Sequence, residues 1–509
     1  MTDKDKQTNE LDDSAPHALF SRVEKNIAYI ETALGNSTDL VIRHIQLNKT
    51  KCAVLFIDGL VDKHTVQNFL MEALMLEMPK RRVSVTTLYN TIKDASLPIG
   101  ELEEVKQFKD LFSRLLSGET LLLLDEETSA LAASTKGWRD RGVQETNSES
   151  VIRGPKEAFT ETLRTNTALV RRKIKDPKLR IDGKVIGRVT QTEIAVIYVD
   201  GLADESVVEE VHSRLDAIDI DGVLESGYLE EYIEDAHFSP FPTVYYSERP
   251  DAIAGGLLEG KVAIITDGTP NVLLVPALFV NFLQSSEDYY QRYDIGTFIR
   301  LLRLLSFCVA LFMPSLYIAF TTFHQEMIPP SLLISLAAQR EGVPFPAFVE
   351  ALLMEFTFEI LREAGVRLPK AVGSAVSIVG ALVLGESAVQ AGLVSPAMVI
   401  VVALTAISSF VFPSYNMAIP IRMLRFLFMI LAATFGLYGI ILGLIALIIH
   451  MCSLKSFGSP YMSPFAPLTT KDQKDVLVRF PHWGLFSRPS TQAKNNQGRT
   501  SHSSRGGQS

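Results

Sequence analysis

Apolar positions along the chain follow two regimes, with a change near residue 300. In the first, apolar runs of strand length end at an Asp-Gly pair and give way to a pattern of helical period. AVLFIDG from Ala53 leads to a helical pattern from Thr65, and AVIYVDG from Ala195 leads to one from Val207. Asp bonds its own backbone and Gly tolerates positive φ, so each pair predicts a tight turn at a strand end. In the second regime the runs are too long for strands. No Asp, Glu, Lys or Arg lies between Arg303 and Glu326, only Glu386 between Lys370 and Arg422, and none from Phe426 to Ile449. These runs match the ~20 residues that cross a bilayer as a helix, and they predict spans over 304–323, 371–394, 397–421 and 426–449.

The two Asp-Gly turns lie 142 residues apart, and the same offset carries a second pattern. Leu115, Leu116, Gly118 and Asp125 in RLLSGETLLLLD fall on Leu257, Leu258, Gly260 and Asp267 in GLLEGKVAIITD. Two patterns repeated in register predict a duplicated α/β unit with buried strands covered by helices. Asp58 and Asp200 could be cation ligands or acids, but a strand-end turn accounts for both. GGLLEGKV from Gly255 departs from a phosphate loop, because Val262 replaces the magnesium-binding hydroxyl and the order runs from helix to strand. Between the copies a helix is expected after Gly154, with Pro155 in its first turn and Phe159 and Leu163 on one face. Arg153 and the Arg171-Arg172-Lys173 cluster could bind anions or a membrane surface, or form a solvated helix end.

In the apolar half, Arg300 and Arg303 precede the first span, which puts the soluble half on the cytoplasmic side. The stretch 324–367 mixes Pro, Phe and Leu with Glu350, Glu355 and Glu359, and fits an interfacial helix, an aqueous vestibule or coupling element, or a re-entrant segment. On the predicted span over 371–394, Gly373, Ser377 and Ala381 form a small-residue face suited to close helix packing. Roughly opposite lie Ala375, Val379, Leu382, Val383, Glu386 and Gln390. A carboxylate inside a span must face protein or water, so this stripe is the candidate pore lining: an aliphatic constriction with a polar mouth. An uncharged or paired Glu386 inside a bundle is the alternative. The tail after His450 carries more Lys and Arg than Asp and Glu, which favours an even number of crossings; Arg422 and Arg425 then oppose the charge rule.

Composition agrees. The net charge of -9 belongs to an acidic soluble surface and excludes a nucleic-acid binder. No signal peptide is readable in the first 50 residues, and Cys52, Cys308 and Cys452 form neither a disulfide framework nor a metal motif. No cofactor, metal site or enzymatic activity is expected. The fold expected is multi-domain, a duplicated cytoplasmic α/β domain followed by an all-α transmembrane helix bundle. Its parts are a disordered arm over 1–35, a first α/β subdomain over 36–150, a linking helix and second subdomain over 151–290, a helical domain over 291–455, and a cytoplasmic segment over 456–509, disordered after about 490.

Several segments carry a family likeness: VIRGPKEAFTETLRTNTALVRRKI from Val151, PFPTVYYSERPD from Pro240, QRYDIGTFIRLLR from Gln291, REGVPFPAFVEALLMEFTFEILREAG, GESAVQAGLVSP and PSYNMAIPIRMLRF. Over roughly residues 36–468 the chain resembles the GerA family of bacterial spore germination proteins, of the A-subunit type. The resemblance implies a homo-oligomeric cation channel in the inner spore membrane. That channel releases monovalent cations when nutrient is sensed with a transporter-like B subunit and a lipoprotein C subunit. Glu386 departs from the family, whose members often carry Gln there. Competing expectations are a non-conducting scaffold or signalling subunit, the dipicolinate-release member of the same family, and a secondary transporter, although the repeat lies in the soluble half.

Overall fold

The computed structural model describes residues 16–47, 50–68, 102–137, 149, 151–367, 383–470, 472–489 and 498–499. Its N-terminal half contains two five-stranded antiparallel sheets. In the first, β1 (Leu40–Leu47), β2 (Thr50–Ile57), β3 (Glu103–Val105), β4 (Thr120–Leu124) and β5 (Ala130–Ala133) lie in the order β1-β2-β4-β5-β3. In the second, β6 (Leu179–Ile186), β7 (Thr192–Val199), β8 (Tyr245–Ser247), β9 (Val262–Thr266) and β10 (Val272–Val275) lie in the order β6-β7-β9-β10-β8, which is the same path.

Unbroken apolar strands usually accompany parallel sheets covered on both faces. Here the strands are antiparallel, and the coverage alone accounts for them. Ala53, Leu55 and Ile57 of β2 pack with α1 (Val23–Ala33) and α2 (Phe108–Leu115), while Cys52, Val54 and Phe56 face the other way, against Val61 and Val66. Likewise Ala195, Ile197 and Val199 of β7 pack with α3 (Leu163–Lys173) and α6 (Pro250–Leu258). Ile194 and Val196 pack with α4 (Glu205–Asp216) and α5 (Ser226–Ile233). The Asp-Gly pairs close β2 and β7 with Gly59 and Gly201 at φ of 87° and 76°.

Each unit also fastens a helix start to a distant strand end. Asp125 Oδ1 accepts from the Val23 amide at 3.1 Å, and Asp267 Oδ1 accepts from the Leu163 amide at 2.9 Å. On the same two helices, Asn26 and Asn166 exchange hydrogen bonds with the backbone of Phe20 and Thr160. Two expectations are corrected here. The arm through residue 35 is not wholly disordered, because Val23–Ala33 is a helix with Val23, Ile27 and Ile30 in the first core. The linking helix starts at Leu163 and not at Pro155, since the Thr160 backbone is held by Asn166 and the Phe159 amide by the Glu248 carbonyl.

Arg171 is not at a solvated helix end. It is fully buried, and its guanidinium joins the units by donating to Asp39 at 2.9 Å and to Ser37 at 3.0 Å. Its neighbours Arg172 and Lys173 pair with Glu157. Gly59 lies at the same seam, where a Cβ would stand 2.9 Å from the Arg164 carbonyl oxygen.

Beyond the two sheets lie the helices α7 (Glu287–Tyr290), α8 (Tyr293–Thr322), α9 (Pro330–Arg340), α10 (Ala347–Arg367), a helical segment over 383–390, α11 (Pro396–Ser409) and α12 (Tyr415–Ser453), followed by a two-stranded antiparallel ribbon of β11 (Lys455–Ser456) and β12 (Ser459–Pro460). Among them α8 and α12 are long and apolar enough to cross a membrane. The span expected over 397–421 is interrupted. α11 stops at Ser409, the chain turns through 410–414 with Pro413, and Arg422 and Arg425 then fall inside α12. The span expected over 426–449 is also not one rod, because α12 breaks at Gly436 (φ 61°, ψ -141°). A Cβ on Gly443 would lie 2.8 Å from the Phe428 ring, although a straight helix would separate the two by about 22 Å at 1.5 Å per residue. α12 is therefore a hairpin of two legs.

The tip of that hairpin sits at the far end of α8, where a Cβ on Gly436 would meet His324 at 2.7 Å. Its last turn returns to the second α/β unit, with Ser239 Oγ and His450 Nε2 2.9 Å apart. The segment after α12 then crosses the junction: Ser456 Oγ donates to the Thr243 carbonyl at 2.7 Å and accepts from the Ala277 amide at 2.9 Å.

Candidate functional site

Of the predicted pore stripe, Ala375, Val379 and Leu382 lie outside the described residues. Val383, Glu386 and Gln390 fall on the helical segment 383–390 and are exposed on the single chain. Gln390 Nε2 donates to Glu386 Oε1 at 3.2 Å, one helical turn away. Val383 and Leu384 beside them are 51% and 46% exposed, so the carboxylate stands on an apolar surface.

The acids of α10 turn inward. Glu350 is fully buried; it accepts from the amide and hydroxyl of Ser395 at 3.0 and 2.9 Å and pairs with Arg340 at 3.2 Å. It thereby joins α9 and α10 to the start of α11, whose N-cap is Ser395. Glu355, also fully buried, pairs with Arg425 at 2.5 Å, and Arg425 Nε donates to the Ala310 carbonyl of α8 at 2.8 Å. One turn along, Glu359 pairs with Arg422 at 2.9 Å, and Arg362 bonds Ser409 Oγ. The result is a ladder of charges holding α10 against α8, α11 and α12. It also accounts for Arg422 and Arg425, which the charge rule left unexplained: they answer carboxylates within the helical region.

Arg300 and Arg303 are likewise not an open cationic flank. They are 3% and 7% exposed, and both bind Asp288 of α7, at 3.2 and 2.7 Å. Arg300 reaches Asp475 of the C-terminal segment at 2.9 Å. A polar cleft of about 280 Å³ lined by Arg249, Ser285, Arg303 and Phe412 lies between this network and the loop joining α11 to α12. In the second α/β unit, burial pushes Glu230 on α5 up to about 7, helped by the negative charges of Glu234 and Glu225. Among the described residues no group of three His, Cys, Asp or Glu is placed to hold a metal ion.

The sequence reading passed over Arg362, Asp288 and Asp475. A signal existed for the ladder: Glu355 and Glu359 are spaced by four and Arg422 and Arg425 by three, so each pair occupies one helix face with the opposite charge of the other.

Residues 28–491 match the profile of the Bacillus/Clostridium GerA spore germination proteins. The chain belongs to the GerA family. Among GerA relatives, spore germination protein KA of Bacillus subtilis (strain 168) is 51% identical over 485 residues, covering 95% of this chain and 89% of that protein. The uncharacterized membrane protein YfkQ of the same organism is 42% identical over 489 residues, covering 96% and 94%. A crystal structure of the N-terminal domain of the A subunit of the Bacillus megaterium spore germinant receptor GerK3 is 39% identical, with a TM-score of 0.43. It covers 52% of this chain and 98% of that one. The GerA match spans the α/β units and the helical region together, which agrees with the likeness read from the sequence.

Proposed function

We propose that this GerA protein is the A subunit of a nutrient germinant receptor that crosses the inner spore membrane several times as a helical bundle. In this reading two copies of one α/β unit lie on the cytoplasmic side, and identical subunits gather around an axis. The face carrying Val383, Glu386 and Gln390 then lines a path through which monovalent cations leave when germination is triggered. The same strand path and the same remote helix caps in both sheets support the duplication. The return of α12 to the α/β unit from which α8 departs supports an even number of crossings.

The observation that carries the channel reading is the Glu386–Gln390 pair on an apolar helical surface. A carboxylate left among acyl chains costs on the order of 2.5–3.5 kcal/mol, so this face requires water or protein against it. A ring of copies supplies both, and a ring of carboxylates favours cations. In the same reading Glu350, Glu355 and Glu359 couple α10 to its neighbours, and the transporter-like B subunit and lipoprotein C subunit expected from the family deliver the nutrient signal.

The test is potassium flux from liposomes containing the full chain, with and without Glu386→Gln. The expected result is a ring-shaped assembly whose cation selectivity or conductance changes in the variant. A ring that passes no ions, or one whose currents are unaltered by the substitution, would overturn the channel assignment.

A further inference from the structure

The charges inside the helical region do not balance. Glu355 and Glu359 face Arg362, Arg422 and Arg425, and the last two each take a carboxylate, at 2.5 and 2.9 Å. Arg362 is left with Glu359 at 4.0 Å, a hydrogen bond to Ser409 Oγ, and a position between the rings of Phe358 and Phe410, 4.9 and 4.6 Å from its guanidinium carbon. Its side chain is 9% exposed, and its Nε has no hydrogen-bond partner among the described residues. Residues 368–382, next in the chain, contain no Asp or Glu that could answer it. The ladder therefore holds one positive charge more than it neutralises, an arrangement that low-dielectric surroundings penalise until an anion arrives.

Arg362 stands at the rim of an apolar cavity of about 430 Å³ walled by Met354, Phe358, Leu384, Val399, Val402 and Ile407. A hydrocarbon slot that ends in a buried guanidinium suits a molecule with an apolar tail and an anionic head. Ser409 and Phe410 put the rim at the end of α11 where Phe410 and Phe412 share a cleft with Tyr245 and Arg249 of the second α/β unit, the side where basic pockets between membrane helices take lipid headgroups. We propose that this cavity holds one acyl chain of an acidic phospholipid, with the lipid phosphate on Arg362. The inference rests on the membrane insertion proposed above.

The full chain is reconstituted in phosphatidylcholine vesicles with or without phosphatidylglycerol, and lipid retained through detergent exchange is counted by native mass spectrometry. Phosphatidylglycerol is expected to be retained roughly fivefold over phosphatidylcholine, the factor that one arginine supplies towards an acidic lipid. That preference should vanish both in Arg362→Gln and in Ala403→Phe, a change at a residue that also lines the slot, which fills it and leaves the charge; if the first variant fails to fold, the second decides. Equal retention of the two lipids, a preference that survives Ala403→Phe, or full competition by glycerol phosphate alone overturns the lipid site; the last result identifies a free-anion site. An alkaline carbonate wash separates the two levels of argument. A chain that washes off the vesicles overturns the insertion and this site together, whereas one that stays and shows no preference overturns only the site.

Discussion

Arg171 and Asp39, 132 residues apart in sequence, meet in a two-point ion pair: Nε and Nη2 of the arginine donate to the two carboxylate oxygens at 2.9 and 3.2 Å, and neither side chain is more than 1% exposed. This contact crosses from one α/β unit to the other. Removing one partner strands a buried charge, which costs about 3–5 kcal/mol, whereas replacing both with apolar residues is far milder. Asp39→Ala is expected to lower the urea midpoint accordingly and to open the seam between the units to protease. Asp39→Leu combined with Arg171→Leu should regain most of that loss. A single variant as stable as the parent would show that the pair does not join the units.

The ladder of the helical region gives an order of effects. Glu355 and Arg425 are 0% and 1% exposed, whereas Glu359 and Arg422 are 23% and 16% exposed. Glu355→Ala should cost about 3–5 kcal/mol, and Glu359→Ala about 1 kcal/mol or less, because water screens the outer pair. Thermal unfolding of the detergent-solubilised chain checks the ranking, and the reverse order would remove the inner pair from its central place.

Asp125 and Asp267 cap helices that begin about a hundred residues upstream of them. Losing such a cap costs ~1 kcal/mol. Asp125→Ala and Asp267→Ala should each cost that amount, and their effects should add, since the two helices belong to different sheets. Equilibrium unfolding of both single variants and the double variant measures this, and a marked excess in the double variant would mean that the caps act together.

Glu230 gives a pH dependence of fixed sign. Its folded value of about 7 lies above the ordinary 4.5, so the folded state binds the proton more tightly. Its contribution is fully present below pH 4.5 and is lost as the pH rises towards 7. Glu230→Gln should flatten the fall in thermal midpoint across that window, and parallel curves for the two proteins would exclude Glu230 as the source.

The sequence discloses what is periodic or local. Apolar runs and Asp-Gly turns depend on neighbouring residues, and the structure places strands and turns at those positions. It discloses less where a partner is distant. Arg171 in an RRK cluster looks solvated because Asp39, which buries it, lies far up the chain. Asp125 and Asp267 show themselves as repeated positions, but their duty at Val23 and Leu163 exists only once the sheet is assembled. Long apolar stretches hide breaks for another reason: hydropathy averages over a window, and single residues such as Gly436 and Pro413 alter backbone direction while changing that average little.

The first and last legs of the helical region share one footing. α8 is held there by Asp288 and Asp475, and the end of α12 by Ser239, with Ser456 fixed to Thr243 just beyond. Under the proposed function, a tilt of the second α/β unit together with this junction would move both ends in step, as a rocker turns two pins on one plate, and a signal received there need not pass along the chain to reach the far end of the helical region.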